Sequence, residues 1–203
     1  MQNAGYFQPK IELHPQLIRD DQFLKRYSLT VYIEPGRQFR LGEIRFANVD
    51  EDRPLAFSAG ELRGFFHLRR GDLLNVSKIR DGLNEVSRLY GSKGYIDAVV
   101  GPETQNGDDG GPIDFLMKID EEKQYRVRKI EFLGLTEKSQ SELTPKLKPG
   151  DIFNKQYVSE ILKRNRQILP ADASLEDVTI SRNTKDGTVD IRFVFFSCPQ
   201  FAH

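Results

Sequence analysis

The sequence predicts an α+β fold made of a repeated unit, in which one strand is followed by two helices and then two strands. Three observations carry this. Residues 36–46, G-R-Q-F-R-L-G-E-I-R-F, return as residues 122–132, E-K-Q-Y-R-V-R-K-I-E-F. Leu68-Arg-Arg-Gly-Asp-Leu-Leu-Asn75 returns as Leu147-Lys-Pro-Gly-Asp-Ile-Phe-Asn154. An alternating apolar pattern occurs three times: Tyr27, Leu29, Val31, Ile33; then Ile113, Phe115, Met117, Ile119; then Val189, Ile191, Phe193, Phe195. Self-similarity at a fixed spacing marks a repeat architecture.

Each element has its own local reason. The first strand of a unit places apolar residues at 39 and 41, skips a place, and resumes at 44 and 46. Its copy does the same at 125, 127, 130 and 132. Period-2 alternation marks a half-buried strand, and a one-residue slip in it marks a bulge. Ser58-x-x-Glu61 is a capping box ahead of Leu62, Phe65 and Phe66. Its counterpart opens at Thr136, includes Leu143 and Leu147, and is cut short by Pro145. Gly71 and Gly150 fit turns, and Asn75 and Asn154 fit helix N-caps. Two core-facing helical stripes follow: Val76, Ile79, Leu83, Val86 and Tyr90, then Val158, Ile161, Leu162, Ile168 and Leu169. Gly5-Tyr6 and Gly94-Tyr95 each open a short strand that pairs with the alternating strand after it. In the last copy Asn183 and Asp186-Gly187 supply the hairpin turn.

These elements divide the chain into residues 1–36, the closing hairpin of a preceding truncated unit; 37–122 and 123–197, two complete units; and a tail, 198–203. A chain that starts in mid-unit is what a fragment of a longer array looks like. A lone two-stranded hairpin is marginal in water. Residues 5–35 are therefore expected to pack on the first complete unit or to pair with another chain.

Composition narrows the function. The 203 residues carry 30 Lys plus Arg against 30 Asp plus Glu, a formal net charge of zero. A dedicated nucleic-acid binder shows a basic excess or stripe. The chain is 38% hydrophobic and 10% aromatic, which supports a packed core. No run of apolar residues reaches the 18 or so of a spanning helix. Cys198 stands alone, so no internal disulfide forms. His14, His67 and His203 are not at zinc-ligand spacing. The first residues show no charged n-region or apolar h-region of a signal peptide. Neither Gly-x-Ser-x-Gly nor a P-loop occurs. The stretch Gly101-Pro-Glu … Gly107-Asp-Asp-Gly-Gly111 is acidic and would repel phosphate. Asp108 and Asp109 do not have EF-hand spacing, and the segment reads as a solvated hairpin loop. His67 reads as a surface or packed histidine near a helix end. Arg69-Arg70 and Lys163-Arg164 with Arg166 read as solvated helix faces, with anionic lipid head groups or an acidic partner as the weaker reading. The expectation is no enzyme, no cofactor and no metal. An RNA-binding α+β domain ranks last, because Tyr125 and Phe132 alternate as buried residues do.

Two stretches carry a resemblance. One is Gly94-Tyr95 … Gly111-x-Ile113-Asp114-Phe115 … Ile119-x-Glu121-x-x-Gln124-Tyr125-x-Val127-x-x-Ile130-x-Phe132-x-Gly134. The other is Val31-x-Ile33-Glu34-x-Gly36-x-Gln38-Phe39. In this order they resemble POTRA domains, and the resemblance runs from about Gly5 to Phe196. It departs at Glu122, where the junction glycine is expected, at Asn48, where the second copy has Gly134, and at Pro170-Ala-Asp-Ala, which replaces a Gly-Tyr.

The resemblance implies tandem modules, each a three-stranded mixed sheet covered on one face by two helices. It also implies the periplasmic arm of a BamA-like outer-membrane assembly factor of the surface-antigen family, or of a related secretion transporter. Implied partners are unfolded or nascent outer-membrane and secreted polypeptides, accessory lipoproteins, and a C-terminal barrel in the full-length protein. The strand in the middle of each module's sequence would be a free edge to which a client adds as an extra strand. Those client-binding edges are Tyr95, Ile96, Asp97, Ala98, Val99 and Val100, and Leu175, Glu176, Asp177, Val178, Thr179 and Ile180. The inter-module hinges are Glu34, Pro35 and Gly36, and Asp120, Glu121 and Glu122. The alternative is a periplasmic scaffold of the cell-division type without a barrel. Tandem modules argue against it, because those proteins usually carry one.

Overall fold

The computed structural model describes residues 4–6, 9–21, 23–106, 111–143 and 147–195. Asp108, Asp109, Pro145, Phe196 and Cys198 lie outside them. The elements are β1 (Lys10–Asp20), β2 (Lys25–Glu34), β3 (Leu41–Asn48), α1 (Ala59–Arg63), α2 (Val76–Ser92), β4 (Val99–Asn106), β5 (Ile113–Asp120), β6 (Arg126–Leu133), α3 (Glu137–Glu142), α4 (Lys155–Arg164), β7 (Val178–Asn183) and β8 (Thr188–Val194). The fold is α+β, and the strand–helix–helix–strand–strand order occurs twice.

Both complete repeats place their last strand in the centre of a three-stranded sheet, in the orders β3-β5-β4 and β6-β8-β7. In the second repeat β8 runs parallel to β6 and antiparallel to β7, so that sheet is mixed. The connectivity explains this. The two helices bring the chain back as β7, opposite in direction to β6, and the tight turn reverses it again, so β8 runs parallel to β6. That turn is closed by the Gly187 N–H donating to the Asn183 carbonyl at 3.0 Å.

The skipped place in the alternation is a bulge: the register of β6 on β8 shifts between Val127 and Lys129. In both repeats an aspartate of the central strand bonds to the first strand at this place. In the first, the Glu43 N–H donates to Asp114 Oδ1 at 2.6 Å. In the second, Arg128 Nε donates to Asp190 Oδ1 at 2.8 Å. That pairing holds the Asp190 carboxyl below the usual carboxylate range.

The caps form as the sequence indicates. Ser58 and Glu61 make both bonds of the capping box, and Thr136 caps α3. The Ser58 hydroxyl and then its backbone N–H hold the Glu61 carboxyl below its usual range. Asn75 Oδ1 accepts from the Lys78 N–H at 3.1 Å, and Asn154 Oδ1 accepts from the Gln156 N–H at 2.9 Å. The Gly-Asp turns do more than reverse the chain. Gly71 N–H donates to the Leu41 carbonyl, and Gly150 N–H to that of Val127, both at 2.7 Å. Leu41 and Val127 donate back to the carbonyls of Asp72 and Asp151, both at 2.9 Å. Each turn thus occupies the start of its own first strand.

The chain packs as two compact units. One comprises Met1–Ala47, Ala56–Asn84 and Gly101–Lys118; the other comprises Asn48–Leu55, Glu85–Val100 and Ile119–His203. The first buries Leu41, Leu62, Phe66, Leu74 and Met117. The second buries a cluster that includes Tyr125, Val127, Phe153, Tyr157, Ile161 and Phe193.

Two expectations need correction. The helical stripe drawn from Val158 to Leu169 overruns the helix. α4 ends at Arg164, because the Asn165 side-chain amide and backbone N–H both donate to the Ile161 carbonyl, at 2.9 and 3.1 Å. Leu169 is still buried, but from a turn. Tyr157, left out of the stripe, is buried on α4, and its hydroxyl accepts from the Leu147 N–H at 3.0 Å.

The second correction concerns one of the two places expected for the hairpin of β1 and β2: among the described residues these strands do not pack on the first repeat. Every residue of both strands is exposed. The register sets Ile11 opposite Ile33, Leu13 opposite Val31, Pro15 opposite Leu29 and Leu17 opposite Tyr27, so one whole face is apolar. The apolar residues Leu62 of α1 and Ile79 of α2 are already buried in the first repeat's core. Val31 occupies the repeat position of Met117, yet Val31 is 46% exposed and Met117 is 0% exposed. Met117→Ala is expected to cost about 2–5 kcal/mol, and Val31→Ala less than about 0.5 kcal/mol. Urea denaturation followed by circular dichroism measures both, and equal costs would contradict this placement.

Candidate functional site: sheet edges and repeat junctions

The expected docking strands stand at sheet edges. Among the described residues, β4 has only β5 beside it and β7 has only β8. Both start later than expected. Tyr95, Ile96, Asp97 and Ala98 form a turn, and only Val99 and Val100 belong to β4. The Tyr95 N–H donates to the Tyr90 carbonyl at 3.0 Å, and the Tyr95 ring stands edge-on to Tyr90 with centroids 5.7 Å apart. The backbone here finishes the preceding helix instead of starting a ladder. Leu175, Glu176 and Asp177 form a short 3-10 turn, and Val178, Thr179 and Ile180 lie in β7. Ser174 caps that turn, with its N–H donating to Asp177 Oδ2 at 2.7 Å and its hydroxyl accepting from the Glu176 N–H at 3.2 Å.

A groove runs along the helix side of each edge. Beside β4 it measures about 360 Å³ and is lined by Leu74, Val76, Leu83, Pro102, Thr104 and Phe115, among others. Beside β7 it measures about 240 Å³ and is lined by Ile96, Phe153, Lys155, Ile180 and Arg182. An edge strand offers unpaired N–H and C=O groups, and a groove alongside offers room for alternate side chains. Together they can hold an extended polypeptide without demanding its sequence.

The junctions are built alike in both copies, a relation the sequence did not reveal. The Phe39 N–H donates to the Gly5 carbonyl at 2.8 Å, and the Tyr125 N–H to that of Gly94 at 2.9 Å. Gln38 Nε2 donates to the Ala4 carbonyl at 3.1 Å, and Gln124 Nε2 to that of Lys93 at 2.9 Å. Gly5 and Gly94 sit at φ +84 and +87, and a Cβ there would meet the Phe39 or Tyr125 carbonyl oxygen at 2.9 or 2.8 Å. The repetition of Gly, Gln and aromatic at fixed offsets was the available signal. It showed likeness between copies but not that these residues bond to one another.

The expected hinge residues differ in setting. Glu34, Pro35 and Gly36 are exposed. Glu121 is buried and accepts from the Tyr90 hydroxyl at 2.7 Å. Burial first, and then this bond, raise the Tyr90 phenol far above its ordinary range. Asp120 Oδ1 accepts from the Glu122 N–H at 3.3 Å. Glu122 sits at φ +53 where its repeat counterpart Gly36 sits at +75. The departure from glycine therefore keeps the glycine conformation. A left-handed residue other than glycine carries about 1–2 kcal/mol of strain, offset in part by the greater chain entropy of an unfolded glycine. Glu122→Gly is expected to stabilise the chain by about 0.5–1 kcal/mol, read as a rise in urea midpoint. Asn48, in the place of Gly134, is buried, and its Oδ1 accepts from the Asp50 N–H at 3.1 Å.

Asp97 ties its turn to the second repeat. It accepts from the Tyr125 hydroxyl at 2.8 Å and is ion-paired with Arg182 of β7. Burial, and then the bond to Asp97, raise the Tyr125 phenol above its usual range. Among the described residues no group of three His, Cys, Asp or Glu is placed to hold a metal ion, and no helix is long and apolar enough to cross a membrane.

Residues 40–122 match the POTRA family model, described as surface antigen variable number repeat. This segment is a POTRA domain. A putative outer membrane protein assembly factor of Treponema pallidum (strain Nichols) is 23% identical over 164 residues, covering 78% of this chain and 19% of that protein. The chain thus spans about one fifth of that relative's length. Among solved structures, BamA POTRA domains 3–5 of Haemophilus influenzae superpose with a TM-score of 0.65 at 22% identity, over 97% of this chain and 75% of the other. BamA of Haemophilus ducreyi lacking POTRA domains 1–3 gives 0.59 at 20% identity, over 77% of this chain and 29% of the other. At these identities the likeness is one of fold. It extends the POTRA architecture beyond the matched segment to the second repeat, which has the same strand order.

Proposed function

We propose that this chain is a section of the periplasmic arm of an outer-membrane protein assembly or secretion factor. Residues 37–122 and 123–197 are its two complete modules, and 1–36 closes a third. Its work is non-enzymatic. It holds unfolded outer-membrane or secreted polypeptides by strand addition at β4 and β7 and presents them toward a membrane barrel of the same protein, with accessory lipoproteins as further partners. The observation that carries this reading is the sheet order. In both repeats the strand in the middle of the sequence is left at an edge, with a groove along its helix side. Main-chain bonds supply the affinity in such a mode and the groove supplies weak preference, which suits a receptor for many clients.

The test is amide hydrogen exchange of the 203-residue chain with and without an end-blocked ten-residue peptide of alternating valine and threonine. Added protection confined to β4 or β7 is the expected result. Protection confined to the outer faces of the sheets or to the helices would refute strand addition. A parent protein with a single membrane anchor and no barrel strands would favour the cell-division type of scaffold instead.

A further inference from the structure

The two edges are not chemically equivalent. In the second repeat, Val178, Ile180 and Arg182 pair with Phe193, Ile191 and Val189, and all three of those partners are buried. Arg182 therefore projects from the helix side of β7, the side on which a client's inward side chains must fit. That side is already occupied. Ile96 packs against the second core and lines the groove beside Phe153 and Ile180. The next residue, Asp97, is ion-paired with Arg182 and also accepts from the Tyr125 hydroxyl. The chain thus shows what this type of groove takes: an aliphatic side chain from an extended or turning backbone, fixed by a charge.

The first repeat presents the same groove with different chemistry. Leu74 holds the place of Phe153, and Val76 that of Lys155. On the strand side Pro102 and Thr104 line it, where Ile180 and Arg182 line the other. The two positive charges of the second groove are missing from these places. The groove is also larger, about 360 Å³ against about 240 Å³, and its remaining lining is apolar except for Arg80 of α2, which does not stand at either of these places.

We propose that the two edges divide the docking task. β4 receives an extended client segment with an uncharged aliphatic side chain seated beside Pro102 and Thr104, while β7 is kept closed by the Ile96–Asp97 turn latched to Arg182 and opens only when that latch is broken. This inference rests on the strand-addition reading and adds its regulation. A partly exposed ion pair with a second hydrogen bond is strong enough to hold a competing strand off and weak enough to release one.

The experiment uses the same alternating valine–threonine peptide and the 203-residue chain, with exchange protection read separately on β4 and β7. In the unmodified chain protection is expected on β4 alone. Asp97→Asn and, from the other side of the latch, Arg182→Gln are expected to add protection on β7, with peptide binding there tightened roughly tenfold and β4 unchanged. Val76→Lys with Thr104→Arg, which writes the second groove's charges into the first, is expected to weaken binding at β4. Equal protection of both edges in the unmodified chain overturns the division of labour and leaves strand addition standing. Protection of β4 with none on β7 in either latch variant overturns the latch. Protection of neither edge in any variant overturns strand addition itself, and the latch with it.

Discussion

Phe193→Ala is expected to cost the second repeat about 3–5 kcal/mol, the range for emptying a buried aromatic site. Phe193 is 0% exposed and sits on β8, the central strand of its sheet. It pairs with Phe132 on one side and Val178 on the other. Its ring stacks on Phe132 at 4.7 Å and on Phe195 at 6.3 Å. Truncation removes the transfer free energy of the ring and leaves a cavity that flanking β-structure cannot close. Domains are stable by only about 5–15 kcal/mol, so the loss is a large share of the total. Urea denaturation followed by far-ultraviolet circular dichroism measures it, and a loss below about 1 kcal/mol would contradict the packing. Because the damage falls on the sheet that carries β7, exchange protection there is expected to fall before that of β4.

Gly134→Ala is expected to cost about 2–5 kcal/mol by a different route. Gly134 sits at φ +81, where an alanine carries about 1–2 kcal/mol of backbone strain. The new Cβ would also fall on the carbonyl oxygen of Phe195, closer than any real contact, with the Phe195 carbonyl carbon next to it. Both neighbours are backbone, so relief requires β6 and the end of β8 to move apart, and overpacking of this kind costs about 1–3 kcal/mol more. The Phe195 N–H bond to the Leu133 carbonyl, now 3.0 Å, is the first expected casualty. Amide exchange at Phe195 reports that bond directly. Unchanged exchange together with an unchanged unfolding midpoint would show that Gly134 does not need its special conformation.

The sequence made several features legible because each is local or periodic. The skipped place at 127–130 was readable as a bulge, since a slip in a two-residue period has one structural meaning. The Ser58–Glu61 capping box was readable because both partners lie within one helical turn. The strand starts were not. Tyr95 and Leu175 continue an apolar spacing, but the backbone at Tyr95 is claimed by the end of α2, and at Leu175 by the cap at Ser174. Apolar spacing reports which side of an element is buried, not which backbone donor is already taken. The overrun of α4 has the same cause: Leu169 is buried, so it fits the stripe, yet Asn165 has already turned the chain. Asp97 was assigned to a docking strand and instead pairs with Arg182, 85 residues away in sequence. No spacing rule reaches so far.

The junction bonds have a consequence of another kind. From Gly5 to Phe39 and from Gly94 to Tyr125 the join is a backbone bond, and the glutamine side chains that reinforce it also reach backbone carbonyls. This backbone part of the join needs only one glycine and one glutamine, while at the second junction the side chains of Ile96 and Asp97 add contacts to the following repeat. A duplication or deletion from one such glycine to the next would recreate the same joint at the seam. An array assembled this way can change its length by whole repeats in a single recombination event, with the backbone part of each joint already in place.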